Sequence, residues 1–219
     1  MCGRIVQSSK STAYADALLA TPRVDPPPSY NVCPSQLITI CRQMEERELV
    51  QVTWGLLPFW AKDPKTGYNT INARAETVAT KPTFRQAFRQ RRCLIPVDGF
   101  YEWRQSIPKQ PFFIHRADSR PFALGGVWEH WEREGQVIES AAIIVTEGNA
   151  MMKPIHDRMP VIIDPEDYDR WLNPASDGHY LIGLLQPHAE QGFEAYPIST
   201  AVNKPQNNGP DLLKRALMP

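Results

Sequence analysis

No apolar run in this 219-residue chain approaches the ~20 residues that a membrane-spanning helix needs, and its first residues lack the apolar core of a secretory signal. The Leu217-Met218-Pro219 end carries no lipidation motif, so the expectation is a soluble cytoplasmic protein with no membrane partner. Net charge is missing too. Lys+Arg and Asp+Glu each total 24, so any attraction to a polyanion has to come from local clustering. Cysteine is scarce: four residues, at 2, 33, 41 and 93, form no C-x-x-C pair and no zinc-ligand spacing with the five histidines. That excludes a disulfide framework and the familiar zinc sites, and neither a metal nor another cofactor is expected. GxGxxG, Walker, HExxH and GxSxG patterns are absent, which removes the common dinucleotide, P-loop, metalloprotease and serine-hydrolase readings. There is no internal repeat, low-complexity tract or linker, so residues 1–219 are expected to form a single domain.

Proline is plentiful instead, at 21 residues, and favours many short elements and shaped loops. Residues 11–20 predict a short helix capped by Ser11 or Thr12 and stopped by the four prolines of residues 21–28. Residues 37–41 and 49–54 flank a polar run and predict a hairpin. Residues 112–114 and 122–128, around the turn formers Asp118, Ser119 and Pro121, predict another. Residues 137–145 end in AAIIV, apolar on both faces, and predict a central strand, with a last strand at 161–163. Asp164 as N-cap and Pro165 behind it predict a helix to Leu172. The string from His130 to Glu134 reads as a surface turn. The sum is an α+β fold, with curved antiparallel β-sheets in a barrel-like core and helices at the periphery.

Chemistry begins at Cys2. Loss of Met1 would leave an α-amine and a thiol on one residue, a pair that captures an aldehyde first as an imine and then as a five-membered thiazolidine. The amine titrates near ~8 and a free thiol near ~8.5, so neither requires strong tuning to react near neutrality. In Ile71-Asn72-Ala73-Arg74 an extended chain points Asn72 and Arg74 the same way, the amide toward an amine or sugar hydroxyl and the guanidinium toward a phosphate. Capping plus an Arg74–Glu76 ion pair is the plainer alternative. Glu102, set among Phe100, Tyr101 and Trp103, is expected to be desolvated and to shuttle protons, unless its charge reaches water at a strand end. His156 is suited to proton transfer, and Asp157 or Arg158 to fixing its tautomer or contacting phosphate, or else to a salt bridge with each other. Residues 81–93 carry five positive charges and no acid, with Phe84, Ala87 and Phe88 on one helical face and Arg85, Arg89 and Arg92 on another. Such a face follows a phosphodiester backbone or simply meets solvent. Trp54, Phe59 and Trp60 around Pro58 suit base stacking or core packing.

Taken together, MCGR, Tyr30-Asn31-Val32-Cys33-Pro34, Trp54-Gly55-Leu56-Leu57-Pro58, INARAET, residues 92–103, Pro111-Phe112-Phe113-Ile114, IVTEGNA, IHDRMP and Val202-Asn203 resemble the SRAP family of abasic-site-processing proteins, over nearly the whole chain. The resemblance implies a covalent crosslink from Cys2 to abasic sites in single-stranded DNA, with Asn72, Glu102 and His156 as companions and Arg4 and Arg74 on phosphates. Pro34, Trp60, Arg85, Arg89 and Arg158 complete the expected DNA-binding set. It also implies crosslink reversal, a weak lyase activity, a thiol autopeptidase activity, a nucleoid-associated monomer and replication-fork partners. Two other classes stay open: an N-terminal-nucleophile peptidase or amidohydrolase built on Cys2, and a non-covalent single-strand binder. Cys33 departs from the alanine often found in the family's NVAP segment, which places a second thiol, open to alkylation or oxidation, near the expected DNA.

Overall fold

Short apolar runs between proline-rich turns fold as many brief strands. The computed structural model describes residues 2–105 and 107–216, apart from the Tyr68 side chain; Met1 and the Leu217-Met218-Pro219 end lie outside the described residues. In chain order the elements are β1 (Ile5–Gln7), α1 (Ser11–Leu18), β2 (Thr21–Pro22), β3 (Ser29–Val32), β4 (Leu37–Gln43), β5 (Arg47–Trp54), β6 (Asn72–Arg74), α2 (Arg85–Gln90), β7 (Arg92–Val97), β8 (Gly99–Arg104) and β9 (Gln110–Arg116). Then come β10 (Phe122–Arg133), β11 (Gln136–Glu147), β12 (Arg158–Pro160), β13 (Ile162–Ile163), α3 (Tyr168–Leu172), α4 (Gly178–Gly183) and β14 (Phe193–Pro197).

Strands β11, β10, β7, β4 and β5 are successive neighbours, and β5 returns to β11 in parallel through Thr53 opposite Ser140 and Trp54 opposite Ala141, which closes a barrel. A second sheet has the order β14-β9-β8-β1-β3. Alternation along the barrel strands sends Ile38, Ile40, Val52, Trp54, Ile95 and Ile143 into one core, shared with Ile5, Phe100 and Ile114 of the second sheet. The opposite face, with Cys41, Leu49, Leu94 and Ile144, is covered by Leu18 of α1, Phe88 of α2 and Trp171 of α3. The fold is therefore mixed α+β. Among the described residues no helix is long and apolar enough to cross a membrane.

Several local expectations need correction. The β4–β5 hairpin forms, but β9 and β10 do not pair: β9 lies between β8 and β14, whereas β10 pairs with β7, β11 and β13. Between them Asp118 accepts from Arg116 and from the Arg120 N–H, and Ser119 takes a left-handed φ of 57°, a turn that passes the chain from one sheet to the other. His130 to Arg133 are not a turn. They prolong β10, with Trp131 buried and donating to the Ala61 carbonyl, and the reversal falls at Glu134 (φ 53°) and Gly135 (φ 79°), both left-handed as in a two-residue hairpin. Helix α1 is preceded by Lys10 without a side-chain cap, so neither Ser11 nor Thr12 is the N-cap. Asp164 does stand at the N-cap position, with Pro165 behind it and the helical segment ending at Leu172, but it opens a 3-10 turn ahead of α3 and its carboxylate makes no capping bond, lying instead 3.0 Å from His188 Nε2. Helix α2 covers only Arg85–Gln90, and Arg92 starts a buried strand, its guanidinium donating to the carbonyls of Phe88, Arg89, Trp171 and Asn173.

The N-terminal strand β1 is interior. Ile5 and Val6 pair with Phe100 and Gly99 of β8, and Ile5 with Val32 of β3. Gly99 is required there, because a Cβ would sit 2.3 Å from the Phe113 ring. The buried Gln7 amide donates to the carbonyls of Thr39 (2.9 Å) and Pro96 (2.7 Å) and accepts from the Thr39 N–H, joining the two sheets. Beyond the strand, Asp98 accepts from the N–H groups and hydroxyls of Ser8 and Ser9 and from the Tyr14 hydroxyl. Removing a shared acceptor strands buried donors at about 1–3 kcal/mol each. Asp98→Ala is therefore expected to lower stability by about 2–4 kcal/mol in urea unfolding, within the upper range for single substitutions.

Candidate functional site

The N-terminal segment delivers Cys2 and Arg4 from the end of β1. Cys2 is fully buried, and the Tyr101 N–H donates to the Arg4 carbonyl at 3.0 Å. Strand β6 runs parallel to β11, Asn72 opposite Ile143 and Arg74 opposite Val145, with Ala73 turned into the core. Asn72 and Arg74 consequently share the other side, and Asn72 Nδ2 donates to the Cys2 carbonyl at 2.8 Å. The Asn72 Oδ1 is buried and has no hydrogen-bond partner among the described residues. It is an acceptor held at the Cys2 backbone and available to a donor there.

A cavity of about 470 Å³ lies beside these residues, lined by Arg4, Glu102, Trp103, Lys109, His156 and Asn203 among others. Glu102, 2% exposed on β8 opposite Phe112, has its carboxyl raised above the ordinary range by burial, against which the neighbouring His156 pulls down. Burial also pushes the Cys2 thiol far up, and the Glu102 carboxylate adds to the shift. Burial thus favours the protonated form of this thiol.

His156 sits on the loop between β11 and β12. Gly148 makes this approach possible, since a Cβ there would lie 2.8 Å from the His156 carbonyl, and its N–H donates to the Asp157 carbonyl at 2.8 Å. The Arg158 N–H donates to His156 Nδ1 at 2.9 Å, which puts the proton of the neutral ring on Nε2. Asp157 Oδ1 also lies 2.9 Å from Nδ1, its carboxylate 86% exposed. The Arg158 guanidinium pairs with Glu76, so neither the Asp157–Arg158 nor the Arg74–Glu76 salt bridge forms.

Arg4 is fixed from behind. Its Nη1 donates to Asn31 Oδ1 and to the Val202 carbonyl, both at 2.7 Å, and its guanidinium lies 5.8 Å from the Trp103 ring centroid. Asn31, itself buried, donates to the carbonyls of Val202, Lys204 and Asn207. Trp103 Nε1 donates to Asn203 Oδ1 at 2.8 Å. Late chain residues thereby wall the cavity.

Cys2, Arg4, Asn72, Glu102 and His156 come together. Arg74 lines an adjoining cavity of about 550 Å³ with Asn72, Thr77 and Lys81. Arg85 and Arg89 line a third, between α2 and α4. Pro34 and Trp60 line none of these three; Trp60 and Phe59 are about half exposed, whereas Trp54 is core and donates to the Ile71 carbonyl. Cys33 is nearly buried, with its thiol raised by burial and lowered less by Arg4, which opposes the expected adventitious reactivity. Sequence reasoning overlooked Asn31 and Asn203 as individual residues, although both lie in the runs that carry the family resemblance, and it overlooked Lys109 and Gly148 as parts of the site.

A family model described as SOS response associated peptidase (SRAP) matches residues 1–205. The abasic site processing protein YoqW of Bacillus subtilis is 47% identical over 192 residues, 85% of this chain and 86% of that one. The abasic site processing protein YedK of Escherichia coli is 31% identical over 225 residues, 98% of this chain and 99% of its own. A crystal structure of a Bacteroides thetaiotaomicron protein superposes with a TM-score of 0.90 at 28% identity, covering 99% of this chain and all of the other.

A carboxyl raised above its unfolded value of 4.5 binds its proton more tightly when folded, so its contribution to stability is present below that pH and is lost as pH rises through the folded value. Glu102→Gln abolishes this dependence. Urea midpoints measured from pH 5 to pH 8 are expected to show the variant gaining on the parent as pH rises; parallel curves would contradict the buried, elevated carboxyl.

Proposed function

The chain belongs to the SOS response associated peptidase (SRAP) family, and from that premise we propose that it processes abasic sites in single-stranded DNA by forming a covalent thiazolidine through Cys2 after Met1 is removed. The observation that carries this reading is the position of Cys2, whose carbonyl is held by Asn72 and whose thiol is coupled to a buried, raised Glu102. The names of the relatives, abasic site processing proteins, supply the substrate.

An abasic deoxyribose interconverts between a closed hemiacetal and an open aldehyde. Glu102 promotes opening by moving the proton between the ring oxygen and the anomeric hydroxyl. The freed α-amine of Cys2, accepted by the spare Asn72 Oδ1, adds to C1′, and loss of one water leaves the imine. The thiol then adds to the same carbon. Because that thiol is held protonated, its proton has to leave as the C–S bond forms; it reaches the imine nitrogen through Glu102, a base of raised affinity. One aldehyde and one aminothiol thus give one thiazolidine and one water. The steps run backward through the same groups, so the crosslink is reversible. The imine also acidifies the C2′ proton, which accounts for a weak lyase side reaction. Arg4 and Arg74 hold flanking phosphates, and His156, with Nε2–H as donor, contacts the sugar or its 3′ phosphate. Arg158 serves through its backbone, its guanidinium being engaged by Glu76. The amidohydrolase alternative would use the amine of Cys2 as the base for its own thiol, and turnover of a peptide or amide substrate by the purified protein would favour it.

On denaturing gels, protein mixed with single-stranded DNA bearing one abasic site is expected to give a heat-stable adduct that Cys2→Ala lacks; an undiminished adduct in Cys2→Ala would remove the assignment. Glu102→Gln should slow formation and reversal alike by about 100-fold, the lower end of what acid–base groups contribute, at unchanged DNA affinity. Arg74→Ala should flatten the dependence of log affinity on log salt by about 0.7, the share of one phosphate contact on a single strand.

A further inference from the structure

The lesion cavity does not account for the positive charge on residues 74–89. That stretch contains Arg74, Lys81, Arg85 and Arg89, all exposed, and its only acid is Glu76. Glu76 is committed to Arg158, and none of the four cations forms an ion pair among the described residues. In a chain whose charges balance at 24 and 24, this is a local surplus that runs in one direction. It starts beside Asn72, where Arg74, Lys81 and Phe84 line the 550 Å³ cavity. It continues without a break in sequence, because Thr80 and Phe84 face that cavity while their neighbours Ala79 and Arg85 face the next one. The next cavity, between α2 and α4, holds about 720 Å³, more than the lesion cavity, and no acidic residue lines it. Arg85 and Arg89 stand on its rim, the half-exposed Ile182 supplies apolar surface, and the nearly buried Phe88 and Leu181 form the floor beneath. Arg92 at its back has its donors satisfied by four carbonyls and no carboxylate, so its charge adds to the positive potential. Uncompensated arginines around an apolar floor suit a ligand with a phosphate at one end and a flat apolar face at the other.

We propose that the α2–α4 cavity is a second binding site for the strand, independent of the lesion, that takes a nucleotide of intact single-stranded DNA with its phosphates on Arg85 and Arg89 and its base against Phe88, Leu181 and Ile182. This rests on the reading of the protein as a single-strand binder but not on the thiazolidine. A strand crosslinked at Cys2 passes Arg74 and Lys81 and is held again at α2, so affinity comes from undamaged DNA and reactivity from the lesion.

The test is fluorescence anisotropy with an intact oligonucleotide of about 16 nucleotides, the upper end of ordinary single-strand site sizes. The double variant Arg85→Ala/Arg89→Ala is expected to bind it about tenfold more weakly, with the salt slope reduced by about 1.4 for two lost contacts. Arg85→Lys/Arg89→Lys should keep the slope. Crosslinking of a short oligonucleotide of about five nucleotides, near the lower end of ordinary single-strand site sizes, should proceed at the parent rate. Unchanged affinity and slope for the long strand would overturn the proposal. So would an equal loss of crosslinking with the short one, which would place the effect at Cys2 or in the fold, or equal competition by polyglutamate of matched charge, which would make the cavity a site for acidic peptide. If no crosslink forms even with the parent protein, the thiazolidine reading fails while the anisotropy still decides this one.

Discussion

The interaction on which the structure depends is the insertion of the N-terminal strand between β8 and β3. Chain ends usually fray, because nothing repays the entropy of ordering them. Here three residues, Ile5–Gln7, are paired on both edges and buried throughout, the Gln7 amide ties them to the barrel, and Asp98 locks the turn that follows. A residue placed just before such a strand inherits its rigidity. Cys2 therefore occupies a defined point between Asn72 and Glu102, which is what a reaction needing an amine, a thiol and a proton carrier at one carbon requires.

The same insertion sets the electrostatics. Glu102 lies on β8, the neighbour of β1, and burial there raises its carboxyl; Cys2 shares that environment and its thiol rises too. Burial penalises the ionised form of both groups, so on the proposed route a proton relayed from the thiol through Glu102 to the imine nitrogen leaves no isolated charge in a poorly solvated place. Cations border this region without neutralising it. Arg4 is positioned through Nη1 by Asn31 and by the Val202 carbonyl, nearly two hundred positions away, and still lines the cavity, while Arg74 is open toward the adjoining one.

Much of this was legible in the sequence. Alternation and apolar runs located β4, β5, β9, β10, β11 and β13 but not β1, β2, β3, β7, β12 or β14; AAIIV was correctly read as central, and the two-residue spacing of Asn72 and Arg74 does put them on one side of β6 with Ala73 buried. What sequence patterns could not supply was partnership. The turn at Asp118 looks like a hairpin from its residues, yet it transfers the chain between sheets, because pairing is chosen by the hydrophobic faces of distant strands and not by the turn. Arg92 continues the helical period of α2, yet the demand of β10 for a β-partner overrides it and turns a surface cation into a buried tie. At the site, residue types pointed to Cys2, Glu102 and His156, but their convergence with Asn31 and Asn203 joins segments far apart in the chain. Likewise the clearance that Gly148 gives the His156 loop is a contact across a turn, which no local pattern encodes.

Chemically, everything turns on which atoms of Cys2 are joined to the sugar. Intact mass spectrometry of the protein after reaction with a single-stranded oligonucleotide bearing one abasic site reads this directly. The account predicts a species equal to the protein without Met1 plus the oligonucleotide minus one water, with peptide mapping placing the modification on Cys2. An adduct that still carries Met1, or that maps to a lysine or to Cys33, would contradict it.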